Sequence, residues 1–186
     1  NLVIFPMIAG MLIVNDDFVR FFLGKDFQDA RYAIAIMIFR MFFIGWTNIM
    51  GIQILIPHDK NKEFMLSTTI PAIVSVGLNV LFLPHFGFIG AAIVSVLTES
   101  LVWLIQLYYT RHYLREVPII GSMTKIIFAS AVMYGLLLLI KPFLHFTPTL
   151  NVLVYAVLGG IIYLIAILSL RVVDVKELKQ QFLNKQ

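Results

Sequence analysis

Apolar residues fill six long stretches of this chain: 2–23 (with a polar break at 15–17), 32–57, 64–82, 88–109, 120–140 and 150–170. A helix rises 1.5 Å per residue, so about 20 residues cross the hydrocarbon core of a bilayer. The last five stretches meet that length, and the first meets it only if further apolar residues precede it. Lipid leaves no water to satisfy the backbone, so a spanning segment is a helix or part of a closed barrel. Continuous apolar runs of this length, without strict alternation, predict helices. Short connections make sequential helices antiparallel neighbours. The expected fold class is therefore all-α: a polytopic transmembrane helical bundle of about six spans.

Composition sharpens this picture. Hydrophobic residues make up 60% of the 186 residues and charged residues 13%, with a mean hydropathy of +0.93. A water-soluble domain of this size needs more polar surface. The net charge of +4 does not imply nucleic acid, because the basic residues lie in separate short loops rather than on one patch. The absence of cysteine excludes disulfides, thiolate catalysis and cysteine-based metal sites. Asn1 leads directly into an apolar run, with Pro6 and Gly10 inside it. A cleaved signal peptide is one explanation; the expectation adopted is the C-terminal part of a longer protein.

Basic residues near the span ends orient the bundle. Lys60, Lys62, Arg111, Arg115, Arg171, Lys176, Lys179 and Lys185 fall on one side, against Arg20, Lys25, Arg31 and Lys141 on the other. The loops 57–63 and 111–118 and the C-terminal tail are therefore expected in the cytoplasm, and 16–31, 83–87 and 141–149 outside. Phe18, Phe21 and Phe22 precede Gly24, a plausible helix C-cap, which suits an interfacial stretch. In the tail, Val175, Leu178 and Phe182 make an apolar stripe beside lysines. It reads equally as an amphipathic helix on an anionic leaflet or as a solvated segment.

Polar residues concentrate on three of the stretches. Thr68, Pro71, Ser75 and Asn79 share one helix face; Ser95, Glu99 and Gln106 share another with Ala92 and Trp103. Arg40, Thr47 and Gly51 form a third, with Asn48 alongside. The last two stretches carry few polar groups, so three helices are expected to face a cavity and two to face lipid. The competing reading takes these groups as interhelical glue.

Arg40 and Glu99 are the central candidates. They lie about 12 and 17 Å below the outer surface at 1.5 Å per residue. A charge at that depth costs about 2.5–3.5 kcal/mol on insertion scales, so it persists where it faces protein or water. Three readings stay open: a buried structural ion pair, an anion site at Arg40 facing an aqueous cavity, and a proton or cation site at Glu99.

Weaker signals complete the pass. Gly87, Gly90, Ala91 and Ala92 put small residues where a helix starts, Gly159 and Gly160 mark tight packing or a kink, and Pro71 is expected to bend its helix. His58, His85, His112 and His145 occur in four separate loops, and no metalloprotease, nucleophile-elbow, Walker A or dinucleotide fingerprint is present. The expectation is no enzyme, no metal and no cofactor.

Several stretches also form a recognisable order. Phe5-Pro6-Met7-Ile8-Ala9-Gly10 leads to Phe21-Phe22-Leu23-Gly24-Lys25-Asp26-Phe27 and then Gly51-Ile52-Gln53-Ile54-Leu55-Ile56-Pro57. Next comes the most specific element, with Asn79, Pro84, Gly87, Gly90, Ala91 and Ala92 in fixed spacing and Glu99 following. This order resembles the C-terminal part of the polysaccharide-biosynthesis flippases of the multidrug/oligosaccharidyl-lipid/polysaccharide exporter superfamily. The likeness covers roughly residues 1–115; the last two stretches match by hydropathy only.

The resemblance implies a longer transporter of about fourteen helices in two pseudo-symmetric lobes plus an accessory pair. It divides this chain into lobe helices (1–115), two accessory helices (116–171) and a cytoplasmic tail (172–186). It implies translocation of undecaprenyl-pyrophosphate-linked oligosaccharide across the bacterial cytoplasmic membrane. Partners would be that substrate, membrane lipids and a polysaccharide polymerase, with no nucleic acid. Arg40 would contact the substrate's anions, Glu99 would balance Arg40 or couple to a cation, and Thr47, Asn48, Ser75, Asn79 and Gln106 would bond sugar hydroxyls. The alternatives are a multidrug or metabolite antiporter of the same superfamily, and a non-transporting scaffold of a polysaccharide assembly complex. The missing front lobe is the departure from the family pattern.

Overall fold

The computed structural model describes residues 3–114, 119–143 and 147–170, and among these the regular structure is entirely helical. The elements are α1 (Ile4–Phe22), α2 (Ala30–Thr47) continuing into a π-helical segment (Asn48–Leu55), α3 (Asn61–Leu114), α4 (Ile119–Ile140) and α5 (Pro148–Ser169). The tail 172–186, with its apolar stripe, lies outside the described residues.

Among the described residues, four helical stretches are long and apolar enough to cross a membrane: Ala30–Leu55, Asn61–Leu114, Met123–Ile140 and Pro148–Ser169. Their outward surfaces fit that environment. Ile73, Val76, Val80, Leu139, Leu153, Val157 and Leu164 are all strongly exposed, large apolar side chains that suit an apolar environment better than water. The helix α1 is not among the four, because Asp16, Asp17 and Arg20 crowd its last two turns.

α3 departs from the expected layout. Its 54 residues would make a straight rod about 80 Å long. The chain instead reverses at Gly87, where φ is 54° and ψ −137°, a conformation that favours glycine. No atom lies within 4 Å of where a Cβ would stand, so the backbone angle rather than space selects glycine there. The reversal is read directly from Gln106 Nε2, which donates to Ser67 Oγ at 3.2 Å across 39 residues of chain. The segment 83–87, expected as an outer loop, is helical up to this single residue. Gly90 permits the close return, since a Cβ there would stand 2.7 Å from the Phe82 carbonyl oxygen. Pro71 is fully buried, and the helix continues through it.

Contacts between α2 and the second limb of α3 (88–114) follow the same order along both. Thr47 meets Glu99, Gly51 meets Gln106, and His58, just beyond the π segment, meets Tyr113. The two therefore run parallel, as they must if the first limb (61–86) crosses back between them.

A buried cluster lies elsewhere, among α1, α4 and α5. Ala9, Ile13 and Val14 pack with Ala129, Met133 and Leu137 of α4, and with Tyr155, Tyr163 and Ile167 of α5. Burial on α5 recurs every four residues from Asn151 to Ile167, the single stripe of a helix covered on one side. Gly159 lies in that stripe with the Leu137 Cδ1 atom 3.2 Å from its Cβ position, whereas Gly160 faces open space. Tight packing, not a kink, is what Gly159 provides.

The polar break in α1 joins the pieces. Asn15 Nδ2 donates to the Arg31 carbonyl at 2.8 Å, tying α1 to α2. Asp17 accepts from Asn151 of α5 at 3.3 Å. Lys141, just past α4, donates to the Ile13 carbonyl at 3.1 Å. Residues 13–31, 141 and 151 thus meet at one end of the bundle, while His58 and Tyr113 meet at another.

Candidate functional site

Arg40 and Glu99, 59 residues apart, come together between α2 and the second limb of α3. Arg40 donates through both Nε and Nη2 to one oxygen, Glu99 Oε2, each at 3.3 Å. A charge-assisted bond is usually about 2.7–2.9 Å, and a fork normally engages both carboxylate oxygens. This pair is longer and one-sided. Its second carboxylate oxygen, Oε1, accepts from Thr47 Oγ1 at 3.3 Å. Exposure is unequal: 39% of the Arg40 side chain is accessible against 16% for Glu99. Glu99 is the group enclosed by protein, and the Arg40 guanidinium keeps an open edge with Nη1 uncommitted to this pair.

Aromatic rings cluster one turn along from the pair. Phe43 stands one turn from Arg40 and Trp103 one turn from Glu99, and their ring centroids are 5.8 Å apart. Phe42 is 6.4 Å from Trp103 and Phe5 of α1 is 6.0 Å from Phe42. The indole nitrogens of Trp46 and Trp103 are buried without a partner among the described residues. Trp103 was legible in the sequence from its place on the Glu99 face; Phe42 and Phe43 were not, because phenylalanine is unremarkable in so apolar a run.

The remaining candidates do not gather at this point. Asn48 is exposed and donates back to the Ile44 carbonyl at 3.0 Å. Asn79 donates to Ser75, to its carbonyl at 2.9 Å and its hydroxyl at 3.3 Å, so these two satisfy each other within one limb. Gln106 is 1% exposed. It bonds Ser67, stands against Gly51, and leaves Oε1 buried without a partner. Gln106 is thus a link between the two limbs of α3 and the π segment.

The π segment itself was not visible in the sequence. It begins one residue after Thr47, and Ile56 N–H bonding to the Gly51 carbonyl at 3.1 Å marks its wide turn. Gly51 lets α3 come close to it: a Cβ there would stand 2.6 Å from the Phe64 ring. Departures to π geometry inside α-helices are frequent at functional sites.

Other polar groupings are smaller. Asp16, Val19, Arg20, Gln28 and Arg31 line a shallow depression of about 170 Å³ at the end of α1. His58, held by its Nδ1 at 2.7 Å from the Ile54 carbonyl, lies with its ring tilted against Tyr113, the centroids 4.2 Å apart. Among the described residues, no three His, Asp or Glu side chains come together to hold a metal ion. No protein-family model matches the chain, and neither a curated protein nor a solved structure matches it.

Proposed function

We propose that this chain is the C-terminal portion of a flippase that moves undecaprenyl-pyrophosphate-linked oligosaccharide across the bacterial cytoplasmic membrane. In this reading it contributes about six spans, counting α1 and each limb of α3. Loops 57–63 and 111–118 and the tail face the cytoplasm. The observation that carries the reading is the Arg40–Glu99 pair, placed in apolar helices with the cation open and the anion enclosed. A guanidinium in such a setting is suited to phosphate and sulfate-like oxygens, which it binds through several parallel N–H donors.

Arg40 then takes the anionic group of the substrate, Glu99 balances its charge while the site is empty, and the rings of Phe42, Phe43 and Trp103 exclude water. No covalent step is required. The test is a flipping assay on the complete transporter with expression controlled. Arg40→Ala is expected to lower flipping at least tenfold and Glu99→Gln to impair it. Full activity in both would remove the proposed site.

A non-transporting scaffold of a polysaccharide assembly complex is the second reading. It is favoured by the bonding of Gln106 to Ser67 and of Asn79 to Ser75, which turns these polar groups toward one another rather than toward a common cavity. Cysteines introduced at Ser75 and Ser95 separate the two: labelling by water-soluble maleimide supports a wet transport route, and protection at both supports the scaffold. A third possibility, drug or metabolite antiport, predicts transport without any lipid carrier.

A further inference from the structure

Thr47 has one hydroxyl proton and two acceptors within reach. Its Oγ1 lies 3.1 Å from the Ile44 carbonyl, one turn back in α2, and 3.3 Å from Glu99 Oε1. A hydroxyl donates once but accepts as well, so this arrangement admits two complete bonding patterns. With Glu99 ionised, Thr47 donates to the carboxylate. With Glu99 protonated on Oε1, the acid donates to Thr47 Oγ1 and Thr47 turns its proton to Ile44. Neither pattern leaves the buried hydroxyl unsatisfied, although Thr47 is only 8% exposed.

The Arg40 side of the carboxylate supplies the reason for a second state. Both guanidinium bonds are long and fall on Oε2, so an incoming anionic oxygen at the open edge of Arg40 competes directly with Glu99. If Glu99 stayed ionised after that exchange, the site would hold two anions against one cation. From α2 the charged or bonding groups are Arg40 and Thr47, and from α3 Glu99. The rings of Phe43 and Trp103, one turn along from Arg40 and Glu99, meet each other at 5.8 Å and offer no compensating charge. In so apolar a setting the surplus negative charge is costly. A proton taken from water onto Glu99 Oε1 restores neutrality: one cation, one bound anion and one neutral acid.

We propose that Thr47 is a positioning residue that lets Glu99 accept a proton when a phosphate-type anion displaces it from Arg40, so that anion binding carries one proton with it. The proposal rests on the anion-site reading above. It changes the role of Thr47 from a contact for sugar hydroxyls to a partner of Glu99.

The test uses the full-length protein in lipid nanodiscs and dimethyl phosphate, which stays a monoanion across the range examined. Affinity is measured from pH 5 to 8, with proton uptake obtained from titration heats in buffers of different ionisation enthalpy. The wild type is expected to take up close to one proton per anion, with affinity falling by up to about tenfold per pH unit, the limit for a single linked proton. Glu99→Gln is expected to bind without proton uptake and without pH dependence. Thr47→Val, which keeps the shape but removes the acceptor, is expected to lose most of the low-pH gain, and Thr47→Ser to restore it. Flat pH dependence in the wild type, or a Thr47→Val profile identical to wild type, overturns the proposal while leaving the anion site in place. Binding unchanged in Arg40→Gln, or no binding by the wild type, overturns the anion site and this proposal together.

Discussion

Ser67 and Gln106 stand almost equally far from Gly87 along the chain and are joined by a buried hydrogen bond of 3.2 Å. That bond makes α3 a hairpin of two helical limbs. Its worth can be separated from its geometry. Ser67→Ala strands the Gln106 amide, whose Oε1 already lacks a partner, and is expected to cost about 1–2 kcal/mol, near the upper end for bonds inside membranes. The double variant Ser67→Ala with Gln106→Leu removes both polar groups and is expected to recover most of that loss. Unfolding in detergent by steric trapping measures both.

Gly87 fixes where the hairpin turns. Gly87→Ala meets no atom within 4 Å, but it places a Cβ on a backbone with φ of 54°. The expected cost is about 1–3 kcal/mol, all of it backbone strain. Disulfide trapping between cysteines at positions 67 and 106 reports the hairpin independently. Efficient trapping in the wild-type background and reduced trapping with Gly87→Ala is the expected result.

Gly159 and Gly160 are adjacent yet predicted to respond differently. Leucine at position 159 must displace Leu137 and Met133 of α4, whereas position 160 faces open space. Gly159→Leu is expected to destabilise the α4–α5 contact by about 1–3 kcal/mol through overpacking. Gly160→Leu is expected to leave thermal stability in detergent unchanged or slightly higher, because it replaces a poor helix former.

Lys60 offers a pH signature outside the spans. Its ammonium lies 3.1 Å from Glu63, and this hydrogen bond, with the carboxylate charge, raises its pKa above the ordinary 10.5. A raised lysine pKa stabilises the folded state at pH below the unfolded value and ceases to do so as pH climbs through the folded value. The contribution is therefore constant at neutral pH and disappears only in the alkaline range. Titration of an isotope-labelled Lys60 should show it deprotonating at higher pH in the wild type than in Glu63→Gln.

How far the sequence reaches is clearest at particular residues. Hydropathy alone determined that α2, α3, α4 and α5 are apolar helices, since in each the residues must satisfy their backbone internally and tolerate apolar surroundings on most sides. It also singled out Arg40 and Glu99, because charge inside such runs is costly whatever the packing. Their pairing, the placement of Thr47 on the second carboxylate oxygen, and the enclosure of Glu99 relative to Arg40 depend on how α2 and α3 are set side by side. Helical periodicity does not encode that register. The same limit explains Gln106: its face was legible, but its neighbour Ser67 arrives from the opposite limb only once Gly87 reverses the chain. The π segment and the clasp of Asn15, Asp17 and Lys141 around α1 are likewise decisions of tertiary structure. They arise from the close approach of helices distant in sequence, where a missing Cβ at Gly51 or a polar side chain at Asn15 finds its partner.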